Sequence, residues 1–226
     1  MTSTSAAGSR PRRRERRGLR RGSLSPELIV KESVRLLDEA GTGGFSLPKL
    51  GRALGADPTA VYRHFASKDD LLLAVLEEAM ERYAASIAAV VQPFEEPLDR
   101  LAAALFGAVR LPHRNKPGVN VGLSRLHLKL AEVDPAKVGT AREPVSSLMR
   151  SLVEDAARAG AVDSIDPEAS AYMLMALTAT HALNQTLGNE FGLRLPTAEE
   201  HVAFCLHGLN ATLPSGWPDR FRGVGD

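Results

Sequence analysis

The chain has 226 residues, 44% hydrophobic and 24% charged, enough apolar material for a packed core in one large domain or two modest ones. Leu and Ala dominate the apolar set and β-branched or aromatic runs are few, a balance that favours helix over sheet. The net charge of +1 hides an asymmetry: from Met1 to Leu24 eight arginines face one acid, while the rest carries 20 basic and 26 acidic side chains. Cys205 is the only cysteine, which excludes an internal disulfide and any CxxC site. No apolar run reaches the ~18–20 residues of a membrane span. The arginine-rich start lacks the apolar stretch of a secretory signal, so the cytoplasm is the expected compartment.

In chain order, residues 1–24 are Ser-, Gly- and Arg-rich without apolar periodicity and predict a disordered arm. Ser25 and Pro26 signal a first helix, whose stripe of Ile29, Ser33, Leu36, Leu37 and Ala40 ends at Gly41. Ser46 then stands as a side-chain acceptor before Leu47, Leu50 and Leu54, which fall at helical spacing, and Gly55 supplies a left-handed stop. Asp57-Pro58 restarts a helix at once, as cap and first helical residue. Val61 and Phe65 give that helix one buried face and leave Thr59, Ala60, Tyr62, Arg63 and His64 on the rest of its surface. Two short helices joined by a glycine turn predict a helix-turn-helix, the unit that sets its second helix in a DNA major groove.

Ser67 caps a long fourth helix reaching about Val91, with Asp70 three residues on as a weaker capping box. Further helices are predicted at Leu98–Arg110, stopped by Pro112; from about Val119 to Glu132; and from Asp134-Pro135 to Ala159, with Pro144 as a break or kink. After Gly160, a helix apolar nearly all round runs from Glu168 to Leu187, and a last one from Thr197 to about Thr212. The tail from Pro214 is expected to be irregular and carries the only tryptophan, Trp217.

The run AVYRHFASKDDLL resembles the end of the DNA-binding domain of the tetracycline-repressor (TetR) family of bacterial regulators, which pairs an aromatic-x-His-Phe helix ending with a Ser/Asn-Lys-acidic helix start. The likeness covers roughly residues 25–75. It implies an all-α protein, with an N-terminal three-helix DNA-binding domain at 25–70 and a ligand-binding and dimerisation domain at 71–226. It further implies a homodimer on a pseudo-palindromic double-stranded DNA operator, released by a small apolar or amphipathic effector, with no cofactor, metal or membrane partner. By the same resemblance Tyr62, His64 and Lys68 match phosphate-contact positions, and Phe106, Arg110, Met149, Leu152, Met173, Leu177 and His181 lie on helices that line family pockets. The helices at 167–188 and 197–212 would pair with those of a second subunit.

Physical chemistry fills in the rest of the DNA face. Helix N-terminal residues meet base edges, so Pro58, Thr59 and Ala60 lie nearest the bases, and the Thr59 methyl or hydroxyl suits a thymine edge. Arg63 suits a guanine or a phosphate. Ser46 and Lys49 head the first helix of the pair, where helix N-termini hold phosphates. In the arm, Arg16, Arg17, Arg20 and Arg21 are placed to follow phosphates or enter an adjacent minor groove.

Other chemistries find no footing. His201 and His207 lie six apart, on different helix faces, and no HExxH spacing occurs. There is no GxGxxG, GxxxxGK[ST] or GxSxG, so an enzyme is not expected. A dimeric DNA-binding protein without a ligand is the alternative reading.

Overall fold

In the computed structural model, which describes residues 24–40, 45–114, 127–163, 166–187 and 192–225, every regular element is a helix. The head comprises α1 (Pro26–Ala40), α2 (Leu47–Leu54) and a 3-10 helix, Pro58–Arg63. The body comprises α3 (Lys68–Val91), α4 (Pro97–Arg114), α5 (residues 127–133), α6 (Pro135–Arg158), α7 (Pro167–Leu187), α8 (Ala198–Gly208) and a closing 3-10 helix, Trp217–Phe221.

The head is built as its caps and stripes predict. Ile29, Val34 and Leu37 of α1 meet Leu50, Val61 and the α3 residues Leu71 and Val75 in one buried cluster, with Phe45, Leu54 and Phe65 packed alongside. Ser33 sits in this stripe with its hydroxyl donated to the Ile29 carbonyl at 2.8 Å, so its burial leaves no polar atom unsatisfied. Gly55 ends α2 at φ 62°. A Cβ at Gly51 would fall 2.9 Å from the Ala56 carbonyl oxygen and 3.0 Å from the Pro58 Cα, so glycine is what lets α2 cross the next helix this closely.

α3 joins head to body. Its first turns fill the head core, and its far end, Ile87 and Val91, belongs to the body core with α4, α6, α7 and α8. Between these, Leu72 and Leu76 pack on Leu130, Val138 and Ala141, so α5 and α6 rest against the α3 turns that support the DNA-reading unit.

Three departures from the sequence reading have physical causes. The second helix of the pair is 3-10, held by Ala60 N–H to the Asp57 carbonyl (2.9 Å) and His64 N–H to the Val61 carbonyl (3.0 Å); only six residues separate its cap from its end, a length that suits the tighter helix. Pro112 does not stop α4, which runs to Arg114. Proline cannot donate to the Ala108 carbonyl, and the Tyr83 hydroxyl donates to it instead at 3.3 Å. α6 keeps its expected span, Pro135–Arg158, with Pro144 inside it and no break there. α8 ends at Gly208, because Asn210 takes a left-handed conformation (φ 57°) and donates its side-chain amide to Asp163 at 2.7 Å.

The tail is ordered rather than irregular. Phe221 is buried and stacks on Phe94 (5.3 Å) and Phe106 (5.1 Å), and Trp217 lies 5.7 Å from Phe106. Arg110 clamps it, donating to the carbonyls of Phe221 (2.7 Å) and Val224 (3.2 Å), pairing with Glu199 (2.6 Å) and lying over the Phe106 ring (4.6 Å). The expected helix from Val119 falls outside the described residues up to 126, and α5 is its described part.

Candidate nucleic-acid interface and body cavity

The local sequence aims one edge of the head at solvent. Asp57 caps the 3-10 helix, accepting from the Thr59 N–H at 2.8 Å and from the Thr59 hydroxyl, and these bonds hold its carboxyl below the usual range. Thr59 is exposed with its hydroxyl so engaged. Tyr62 is 47% exposed, and Arg63, His64 and Lys68 are exposed beside it. Val61 is buried beneath and fixes the rotation of the helix. Pro58 and Ala60 are half-buried.

Ser46 accepts from the Lys49 N–H at 3.4 Å as the α2 cap, with the Lys49 side chain exposed. Ser67 caps α3, accepting from the Asp70 N–H at 3.0 Å and donating to its carboxylate at 2.8 Å, which sets Lys68 at the first helical position next to the recognition turn. Of the head residues named from sequence, Lys49, Thr59, Tyr62, Arg63, His64 and Lys68 are exposed, and Ser46, Pro58 and Ala60 are half-buried. Arg16, Arg17, Arg20 and Arg21 lie outside the described residues.

A second feature lies in the body: a cavity of about 940 Å³, partly open to solvent, lined by α3, α4, α5, α6 and α7 and reached by Val34 of α1. Of the seven pocket candidates, Met149 stands in its wall. Phe106 and Leu152 are buried in the body core, and Arg110 is spent on the tail clamp. Met173 (58% exposed) and Leu177 (40%) face outward from α7. Sequence reasoning missed the wall residues His127 and Arg142, which carry no local signal: Arg142 is followed by Glu143 and reads as a surface charge.

His181 is buried, but in a polar cluster between α7 and α8. Its ring stacks on His201 at 4.5 Å and its Nε2 lies 2.9 Å from Gln185; His201 Nε2 lies 3.1 Å from the Thr178 hydroxyl and 3.6 Å from Cys205 Sγ. Burial, with repulsion from His181, pushes His201 down to about 4, and burial pushes the Cys205 thiol up to about 11. A base depressed on folding binds its proton more readily in the unfolded chain. The stability that neutral His201 contributes is therefore present above its ordinary value near 6.5 and is lost as pH falls from there toward 4. Thermal melts between pH 7.5 and 4.5 should show this loss, and His201→Gln should flatten it; equal slopes in both proteins would contradict it.

Among the described residues no group of three His, Cys, Asp or Glu side chains could hold a metal, and no helix is long and apolar enough to cross a membrane.

A capped short helix crossing α2 at Gly51, with aromatic and basic side chains on its outer edge, is a helix-turn-helix of the DNA-binding class. Residues 29–75 match the sequence profile of bacterial regulatory proteins of the tetR family, and the head is a tetR-family DNA-binding domain. An HTH-type transcriptional repressor of Mycobacterium tuberculosis is 38% identical over 73 residues, 32% of this chain; the match spans about a quarter (27%) of that relative. The fold of the whole chain resembles two solved regulators. One is RolR in complex with resorcinol (TM-score 0.64, 13% identity, 89% of this chain and 92% of that one). The other is FadR of Bacillus subtilis in complex with stearoyl-CoA (TM-score 0.59, 14% identity, 80% and 97%).

Proposed function

We propose that the chain acts as a homodimeric transcriptional repressor that binds a pseudo-palindromic operator and releases it when a small apolar or amphipathic effector fills the body cavity. The observation that carries the reading is the edge of Thr59, Tyr62, Arg63, His64 and Lys68, exposed together on a tetR-family head. Thr59 and Arg63 read base edges, Tyr62, His64 and Lys68 hold phosphates, and the arginine arm adds phosphate or minor-groove contacts.

Dimerisation is supported by Met173 and Leu177 on α7 and Phe204 on α8, apolar and exposed on the protomer. A two-fold axis through that face presents two recognition helices to successive grooves. Effector control is supported by the cavity's connection to the head: Val34 belongs to the head core and also to the cavity wall, and Leu76 lies in the wall and in the cluster joining α3 to α5 and α6. A ligand that favours one packing of this wall biases the pose of the heads, and the DNA and effector affinities are then reciprocally coupled. The complexes of RolR with resorcinol and FadR with stearoyl-CoA fit such a use of the cavity. Its volume favours this over the ligand-free alternative.

Fluorescence anisotropy on a selected operator tests the DNA face. Lys68→Ala and Tyr62→Ala should weaken binding similarly on all sequences, with Lys68→Ala lowering the salt slope by about one. Thr59→Ala should weaken the selected site more than random DNA. Unchanged affinity in all three variants would overturn the assignment.

A further inference from the structure

The cavity wall is apolar over most of its length, with Met80, Ile87, Leu111, Met149, Met175 and Leu183 contributed by four helices. Charged side chains interrupt it at Arg82, Arg142, Glu143, Arg150 and Glu168. The guanidinium of Arg142, on α6, is half-buried and has no carboxylate partner among the described residues; its recorded side-chain contact is the His127 ring of α5, Nη1 to Nε2 at 3.3 Å. By contrast Arg150, in the same wall, is neutralised by Glu143 at 3.3 Å and bonded to Ser147. His127 cannot neutralise Arg142. Burial, and then the Arg142 charge, keep the ring below its ordinary range, so it is a neutral acceptor that fixes the guanidinium without cancelling its charge.

A half-buried cation in such a wall, with a neutral ring and no carboxylate in contact with it, has its charge left for something else. We infer that the effector is an amphipathic organic anion, whose carboxylate or sulfonate head pairs with Arg142 and whose apolar body lies against the methionine-lined wall. A guanidinium presents two parallel N–H donors to such a head, and methionines adapt to bodies of varied shape. The cavity volume of about 940 Å³ takes a molecule of metabolite size. The inference rests on the cavity being the effector site, and adds the charge of what it takes.

Two fluorescent probes of one skeleton separate the two claims: 8-anilinonaphthalene-1-sulfonate and the uncharged N-phenyl-1-naphthylamine. Titrated into the full-length protein, the sulfonate should bind about tenfold tighter or more, as expected for a charge-assisted pair. Decanoate should displace it more effectively than decan-1-ol. Arg142→Met should reduce the sulfonate's advantage to about threefold or less while leaving the neutral probe's affinity unchanged, which also reports an intact fold. Arg142→Lys should restore part of the preference. Equal affinities for the two probes, unaltered by Arg142→Met, would overturn the charge inference and leave the cavity reading standing. Binding of neither probe would overturn the cavity reading and this inference with it.

Discussion

Leu177→Arg is expected to turn the protein into a monomer that holds its palindromic operator at least ~100-fold more weakly, since the second half-site's contribution through effective concentration is lost. The reason lies in α7. Its inner face, Ala171, Leu174 and Thr178, is buried in the protomer, while Met173 and Leu177, one turn apart, are exposed and lie outside the cavity wall. On α8 the same situation recurs: Val202, Cys205 and Leu206 are buried, and Phe204 is 68% exposed. An arginine at position 177 is solvated in the monomer, so the protomer should keep its helicity and its melting temperature within a few degrees. In a symmetric interface the same change sets two charges against the partner's apolar stripe at once. Sedimentation velocity and operator titration check this together. A variant that remained dimeric would show that the stripe is not the contact.

Phe106→Ala should be the most destabilising single truncation in the body, by about 3–5 kcal/mol. Phe106 is fully buried, and it is the hub on which Trp217, Phe221 and the Arg110 guanidinium converge. Removing it opens a cavity and also loosens the tail, whose other ties to α4 include the Arg110 clamp and the pair of Arg220 with Asp99. For a chain of this size the melting temperature should fall by roughly 10 °C. Calorimetry checks the amount, and quenching of Trp217 by iodide checks the loosening. A loss under about 1 kcal/mol with unchanged quenching would contradict the role given to the tail.

The head was legible because its signals are local. Ser25-Pro26, Ser46, Gly55, Asp57-Pro58 and Ser67 each mark a helix end within a few residues, and the structure uses them as caps and stops. The body resisted for two physical reasons. Its prolines fail to break helices when a distant group takes over the orphaned carbonyl, as Tyr83 does at Ala108, 25 residues away. Its most apolar helix, α7, shows no preferred face in sequence, so residues one position apart, such as Leu177 facing solvent and Thr178 buried against His201, could not be told apart. On α7 this put Met173 and Leu177 on the outer face and His181 in the histidine cluster, while Phe106 and Arg110 of α4 and Leu152 of α6 went to the core or the tail clamp through contacts distant in sequence. The tail was missed because its order comes from Phe94, Phe106 and Arg110, more than 100 residues from Phe221.

The most direct test of sequence-specific dimeric DNA binding is selection of random double-stranded fragments by the purified protein at two salt concentrations, followed by sequencing. The account predicts recovery at both of one pseudo-palindrome, its half-sites about one helical turn or a multiple apart, with affinity falling as salt rises. Recovery of DNA without any consensus at either concentration would contradict it, leaving charge alone to account for the binding.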